Sequence, residues 1–258
     1  CTPSITNMCN SIMQEVLHLF NKILLYLNSN KTTFMHFHTF QKKVDPIKIN
    51  VNGSELIGSS NVKFLGLHLD ENLNFHNHCN SIVSKLGSLA FIFRNLRSVL
   101  NLDQLITCHY AYVESKLRYG LCFWGRSASF SKVFIAQKRI IRCMAGLRHT
   151  ESCKEHFIKM GIMSLPSLFI YELSIFLFNN RGRFTKVNTC HQYNTRSGND
   201  FYVPFNRLNL SINSPYVLGL KFFNKLPMEI KNVNKPNVFK SKLKSFLVSS
   251  CFYSIDEF

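Results

Sequence analysis

The spacing of apolar residues changes near residue 78, and this change is the strongest constraint on the fold. Before it, short alternating runs such as Ile47, Ile49 and Val51 follow the two-residue repeat of a β-strand. After it, apolar residues recur three or four positions apart, as on one face of a helix: Ile82, Leu86, Leu89, Phe93 and Leu96. The sequence therefore predicts an α+β protein in which a small β unit precedes a mainly helical region.

Three local patterns define the β unit. Apolar spacing predicts an amphipathic helix over residues 12–27, ahead of the strands. The pair Asn52-Gly53 is typical of the two-residue turn of a β-hairpin. A further strand is predicted over residues 61–69, with alternate residues on its two faces: Leu65, Leu67 and Leu69 on one, Val62 and Phe64 on the other.

Helical patterns dominate from residue 79 onward. They predict helices at 82–96, from an N-cap at Asp103 to Leu117, from a cap at Ser131 to Gly146, at Glu151–Lys159 and at Ser167–Asn180. Residues 179–215 lose all periodicity, which predicts an irregular segment, and a lysine-rich helix follows near the end. We therefore predict a β unit at 1–78, a helical domain at 79–178 and a basic, partly irregular C-terminal region at 179–258.

The charge balance narrows the choice of partners. Thirty-one Lys and Arg residues against 14 Asp and Glu give a net charge of +17, which favours nucleic acid or an anionic membrane surface. The longest apolar stretch, residues 164–178, contains Glu172 and is too short to span a bilayer, and no secretory signal pattern is present. We expect an intracellular protein, nuclear or cytoplasmic, with no membrane partner.

The cysteines favour free thiols. Their number, nine, is odd, and no two have Cys-x-x-Cys spacing, which suits buried thiols in a reducing compartment. His76, His78 and Cys79 have the residue types of metal ligands, but no further Cys or His lies at the spacing of a zinc finger. A packing role at a helix start is therefore favoured, and we predict no metal site.

Basic residues gather on the helix that is predicted to end at Gly146. Lys138, Arg139 and Arg142 lie on its outward side, and Arg148 follows it closely. Such a patch is suited to sequence-independent contacts with the phosphates of a nucleic-acid duplex. The alternative is a solvated helix face that binds nothing.

Eight short segments occur in the same order as similar segments of one known protein family. They are "LNSNKTTFMHF", "VKFLGLHLDENLNFHNHCNSIVSKL", "YVESKLRYGLCFWG", "QKRIIRCMAGL", "YNTRS", "FNKLP", "FKSKLKSFL" and "FYSIDEF". Taken together, they resemble the reverse transcriptase of non-LTR (LINE-type, jockey-like) retrotransposons, from the end of the palm through the thumb to the C-terminal region. The resemblance covers nearly the whole chain.

This resemblance implies an RNA-directed DNA polymerase of a mobile element, with an RNA and DNA primer-template duplex as its partner. Such enzymes use Mg²⁺ held by paired aspartates, but the sequence contains no Asp-Asp pair, and Asp70-Glu71 would point to opposite faces of a strand. We therefore expect this chain alone to be inactive and to bind no cofactor. It resembles the tail of a longer protein whose palm and fingers portion would supply the Mg²⁺ site.

The resemblance also assigns roles to individual residues of the β unit. Lys31 corresponds to a lysine near the phosphates of the incoming nucleotide, where it would neutralise charge; the alternative is a solvated turn lysine after a helix. Phe64, Leu65 and Gly66 resemble the primer grip, a tight hairpin that presses against the primer end. The alternative for these three is an ordinary core strand with a bulge glycine.

Arg196, within "YNTRS", combines a phosphate-binding side chain with a neighbouring Tyr193 on which a base could stack. Its alternative role is to anchor a loop. Two alternatives apply to the whole chain: a non-catalytic basic nucleic-acid-binding protein derived from such an element, or a fragment that does not fold because half a palm sheet leaves its edges uncovered.

Overall fold

The computed structural model describes residues 2–39, 46–51, 53–190 and 198–258. The chain divides into two compact units, Cys1–His78 and Cys79–Phe258. Helices make up 59% of the structure and strands 8%. The predicted α+β class, with mostly helical content, is therefore confirmed.

The first unit combines one long helix with three pairs of short strands. Helix α1 spans Thr2–Lys22, and a 3-10 turn covers Ser29–Lys31. The strands are β1 (Thr33–Phe34), β2 (Asn50–Val51), β3 (Ser54–Glu55), β4 (Ile57–Gly58), β5 (Asn61–Phe64) and β6 (Leu67–Asp70). The pair β1–β4 is parallel, whereas β2–β3 and β5–β6 are antiparallel.

A small core holds this unit together. Ile49, Val51 and Leu56 are its buried members, and apolar side chains from α1, from β1 and from the connecting segments pack around them: Cys9, Met13, Leu17, Leu27, Phe34 and Ile47. The helix ends earlier than the predicted Leu27, because Leu24 adopts a left-handed φ of 56° that the α-helix does not allow.

Two hairpins organise the strands. The predicted hairpin joins β2 to β3, with Gly53 at φ 78°, while Asn52 lies outside the described residues. The predicted strand over residues 61–69 is wrong. The chain reverses at Leu65 and Gly66, whose φ values of 45° and 85° suit a two-residue turn.

This reversal changes which side chains share a face of β5–β6. Val62 is paired with Leu69, and Phe64 with Leu67. Side chains directly opposite each other in an antiparallel pair lie on the same side of the sheet. Leu67 and Leu69 therefore lie on the same face of the sheet as Val62 and Phe64, whereas the predicted strand would have placed them on the other face.

The second unit is helical. Its helices are α2 (His76–Leu96), α3 (Leu102–Cys108), α4 (Ser115–Arg118), α5 (Leu121–Trp124), α6 (Phe130–Ala145), α7 (Lys154–Lys159), α8 (Leu165–Asn180), α9 (Val187–Cys190), α10 (Asn209–Ile212), α11 (Pro215–Lys225), α12 (Met228–Lys231) and α13 (Pro236–Ser250). Helix α8 is buried on nearly all sides and contacts α4, α5, α6, α11 and α13. None of the described helices is long and apolar enough to cross a bilayer.

The region predicted at 179–258 does not form a unit of its own. Helices α11 and α13 pack directly against α8, so these residues belong to the same compact unit as residues 79–178. The described residues of the segment between α8 and α11 form short helical turns and an isolated β-bridge between Lys186 and Phe201.

Two predicted helix N-caps, Asp103 and Ser131, are wrong. Asn101, not Asp103, caps α3: its side chain accepts from the Gln104 backbone N–H, and the Gln104 side chain accepts from the Asn101 N–H. This capping box satisfies two amides that a cap at Asp103 would leave open. Helix α6 starts at Phe130, so Ser131 lies inside its first turn, whereas Gly146 ends it as predicted, at φ 71°.

The predicted helix from Asp103 to Leu117 is also interrupted. After α3 the backbone forms a π-helix over His109–Glu114 and then continues as α4. The wider turn carries His109, which is fully buried and whose two ring nitrogens have no hydrogen-bond partner among the described residues.

We expect His109 to make the second unit sensitive to acid. Burial lowers the pKa of this imidazole to about 3, so the folded state favours its neutral form. Its contribution to stability is fully present above the unfolded pKa of about 6.5 and falls by roughly 1.4 kcal/mol per pH unit below it. Between pH 7 and pH 5, the free energy of unfolding of His109→Gln, measured with urea, should therefore fall by about 2 kcal/mol less than that of the wild type.

The control for this experiment is His149→Gln, because His149 is exposed in the same unit. It should retain the wild-type pH dependence. An equal loss of stability in wild type and His109→Gln would show that His109 is not the acid-sensitive group.

We also expect Gln137 to be critical for stability. This buried side chain on α6 donates to the Met163 carbonyl at 3.0 Å and accepts from the Leu165 amide at 2.8 Å. Gln137→Leu would leave both backbone groups without partners, so it should lower the free energy of unfolding by about 2–4 kcal/mol. Gln14→Leu, at an exposed position of α1, should change it by less than about 0.5 kcal/mol.

Candidate nucleic-acid interface

A basic groove lies between helices α2 and α6. It consists of two adjoining cavities of about 370 Å³ and 240 Å³. Both cavities share three basic residues, Arg139, Arg142 and His149. The groove belongs entirely to the second unit.

The two cavities differ in chemistry. The larger one has an apolar lining of Val83, Leu86, Gly87, Ile135 and Ala136, with Lys132 and Lys138 added to the shared basic residues. The smaller one is lined by Arg94 and Arg97 in addition to the shared residues, together with Cys143, Gly146 and Leu147. We call them the apolar half and the arginine half of the groove.

Helical spacing accounts for both walls. On α2, Val83, Gly87, Arg94 and Arg97 fall on one face, because they are separated by multiples of three or four residues. The same rule places Lys132, Ile135, Arg139 and Arg142 together on α6. The opposite face of α6 carries Val133, Ile140 and Met144, which are buried in the core.

The exposed guanidinium of Arg97 lies against Gly146 at the end of α6. A Cβ atom added to Gly146 would lie 2.1 Å from Cζ of Arg97, so only a glycine permits this approach. The last turn of a helix carries a partial negative charge, which attracts a cation placed there. Gly146 thus ends α6 and also provides the surface on which Arg97 lies.

A hydrogen bond holds the side chain of Arg142. Its Nε donates to the backbone carbonyl of Glu151 at 2.8 Å, which leaves the two terminal nitrogens for other partners. Lys138 is more constrained: its Nζ lies 4.7 Å from the ring centre of Phe134 and 5.3 Å from that of Tyr253. Cation–π contacts of this kind hold the ammonium near the aromatic pair.

The positive charge of the groove is not neutralised within the described part of the chain. The ion pairs found there involve His38, Arg118, Arg148, Lys159 and Lys231. None of them involves Arg94, Arg97, Arg139 or Arg142. Because the two helices bring these guanidinium groups around one cavity, the groove is suited to an anionic ligand.

The predicted basic patch is therefore partly correct. Lys138, Arg139 and Arg142 do line one groove, but Arg148 does not line either cavity. Its side chain is 91% exposed in the turn after α6, and its Nε lies 3.9 Å from a carboxylate oxygen of Glu151. Sequence reasoning missed Lys132 and His149 and did not connect Arg94 and Arg97 to α6, because nothing local to either helix reveals that the two are neighbours.

The hairpin tip in the first unit is exposed. Phe64 and Leu65 are 59% and 75% exposed, and Gly66 is exposed beside them. The alternative interpretation of these residues as a core strand is therefore wrong. An apolar tip of this kind can press against a flat ligand surface such as a nucleotide base or sugar.

The remaining predicted residues are not brought into the groove. Lys31 is exposed in the 3-10 turn Ser29–Lys31, where its backbone amide donates to the Asn28 side chain at 3.2 Å. Arg196 and Tyr193 lie outside the described residues. Across the described ranges, no three His, Cys, Asp or Glu side chains are grouped as metal ligands would be.

Comparisons with known proteins gave no match. No family model matches the chain, and neither the curated proteins nor the solved structures include a significant match.

Substitutions at Gly146 and Gly87 test whether each of these groove positions requires a glycine. Gly146→Ala forces alanine into a left-handed conformation and displaces Arg97, so the free energy of unfolding should fall by about 1–2 kcal/mol. Gly87 lies within α2, and nothing lies within 4 Å of its added Cβ. Gly87→Ala should therefore raise stability by up to about 1 kcal/mol. Urea unfolding measures both; equal effects of the two changes would contradict the proposed role of Gly146.

Proposed function

We propose that the second unit binds the sugar-phosphate backbone of nucleic acid through the α2–α6 groove. The observation that carries the proposal is the convergence of Arg94, Arg97, Arg139 and Arg142 on adjoining cavities without a paired carboxylate among the described residues. Guanidinium groups offer paired N–H donors that match phosphate oxygens. The net charge of +17 would attract the same ligand over longer distances.

The proposed biological role is that of the thumb of an RNA-directed DNA polymerase from a mobile element. In this role the groove follows the backbone of a primer-template duplex formed by RNA and DNA. The exposed tip at Phe64 and Leu65 supports the proposal, since a primer grip needs an accessible apolar hairpin. The polymerase assignment itself depends on the sequence motifs, and the Mg²⁺-binding aspartates would come from a preceding palm and fingers portion.

A second candidate is a nucleic-acid-binding protein without catalytic activity. It is favoured by the location of the groove, whose lining residues all belong to the second unit and include no carboxylate. Binding by this unit therefore does not require a polymerase active site. The upstream reading frame distinguishes the two candidates: continuation into a Tyr or Phe-Ala-Asp-Asp strand favours the polymerase, and a nearby start codon favours the binder.

A salt titration tests the binding proposal. We would titrate the 258-residue chain against an RNA–DNA duplex at several salt concentrations and compare it with Arg139→Gln/Arg142→Gln. The logarithm of affinity should fall linearly with the logarithm of salt, and the double variant should reduce that slope by roughly one unit per lost phosphate contact.

Lys240→Gln/Lys242→Gln is the matched control. It removes the same charge from exposed positions of α13 that do not line the groove. Its salt slope should stay close to that of the wild type. Equal slopes for the groove variant and the control would overturn the assignment of binding to the groove, and a wild-type affinity independent of salt would overturn nucleic-acid binding itself.

A further inference from the structure

The groove concentrates its charge at one end. Four guanidinium groups, from Arg94, Arg97, Arg139 and Arg142, and the imidazole of His149 line the arginine half, whose volume is about 240 Å³. A phosphodiester within a strand carries one negative charge and has two free oxygens. A terminal phosphate carries a charge of about −1.5 to −2 at neutral pH and has three acceptor oxygens.

One side chain of the arginine half, Arg142, is held in position before any ligand binds. Arg97 lies on Gly146 at the end of α6, and Arg142 is held by the Glu151 carbonyl. Arg94 and Arg139 are exposed and complete the ring of donors from the two helices. Since the Arg142 guanidinium needs little further ordering, and three more guanidinium groups line the same cavity, the arginine half favours a compact anion with several oxygens over a mobile backbone.

The apolar half adjoins this anion site through the shared residues Arg139, Arg142 and His149. Its lining includes Val83 and Leu86 from α2 and Ile135 from α6, the last 58% exposed. An apolar surface beside a phosphate site suits the face of a base or sugar. The two halves together match one nucleotide that ends in a phosphate.

We propose that the groove holds the phosphorylated end of a nucleic-acid strand. The terminal phosphomonoester occupies the arginine half, and the last nucleotide covers the apolar half. This inference rests on the proposed function, because it places a nucleic-acid strand in the same groove. It adds that an end of the strand is recognised in preference to its interior.

The test compares oligonucleotides that differ only at one end. Single strands of about eight nucleotides carry a fluorescent label at one end and either a hydroxyl or a phosphate at the other: the 5′ end varies in strands labelled at the 3′ end, and the 3′ end varies in strands labelled at the 5′ end. Anisotropy titrations with the 258-residue chain give the affinities. At least one phosphorylated strand should bind roughly tenfold more tightly than the hydroxyl strand, and the two phosphorylated arms show which end is recognised.

A strand lengthened by one nucleotide controls for added charge, since it gains a diester without a terminal phosphate. It should bind with nearly the affinity of the shorter hydroxyl strand. The protein variant is Arg94→Lys/Arg97→Lys, which keeps the positive charge but loses the paired guanidinium donors. The readout is the ratio of its affinities for the phosphorylated strand and the hydroxyl strand, which should fall from roughly tenfold to near one, whatever its affinity for the hydroxyl strand.

The outcomes separate this inference from the proposed function. Equal, salt-dependent affinities of wild type for all strands would overturn recognition of the end and leave backbone binding intact. Preference for the phosphate that persists in Arg94→Lys/Arg97→Lys would also overturn it, because the arginine half would not be its source. Absence of binding to every strand and to the RNA–DNA duplex would overturn both proposals.

Discussion

Burial of helix α8 on nearly every side is the constraint on which the second unit depends. Eleven of its residues are buried, so no single neighbour can cover it. The ring of Phe178 stacks on Phe239 of α13 with centroids 4.1 Å apart, and Phe169 meets Phe222 of α11 edge to face at 6.0 Å. The chain on both sides of α8 in sequence must therefore fold around it, which explains why residues 79–178 and 179–258 form one unit.

The orientation of α6, and with it the groove, follows from this packing. Gln137 joins α6 to the start of α8 through the carbonyl of Met163 and the amide of Leu165, within a buried environment. Hydrogen bonds at such a position have strict geometry, so they restrict rotation of α6 about its axis. With Gln137 facing the core, Arg139 and Arg142 lie on the groove side. A polar core residue thus helps to position charges that have no role in the core.

Local sequence patterns predict some turns and helix ends correctly and others wrongly. The hairpin around Gly53 and the end of α6 at Gly146 were predictable, because each depends on a glycine with positive φ at a known place in a turn or cap. The apolar alternation does not reveal the β5–β6 hairpin, because Leu65-Gly66 continues the pattern of a strand, and only the family resemblance indicates a tight hairpin at Phe64–Gly66. The cap of α3 was misplaced by two residues, since only the capping box between Asn101 and Gln104 distinguishes it from Asp103.

The groove was less predictable for a physical reason. The periodicity of α6 placed Lys138, Arg139 and Arg142 on its outward side, but a helical pattern says nothing about the neighbour that this side faces. The approach of Arg97 to Gly146 joins residues 49 positions apart in sequence. It depends on how α2 and α6 pack, and that packing is set by buried residues such as Phe93 and Ile140, far from the charges themselves.

The cost of the arginine cluster supports a ligand more strongly than its net charge does. Like charges that line one cavity repel each other, and none of the ion pairs in the described part of the chain involves the four groove arginines. Elsewhere in the fold an arginine is paired with carboxylates: Arg118 contacts Glu172 at 2.6 Å and Glu114 at 3.4 Å. The packing of α2 and α6, which buried residues such as Phe93 and Ile140 determine, brings these charges together despite their repulsion. An anion in the groove would reduce this repulsion, which is the physical basis of the proposal that the groove binds phosphate.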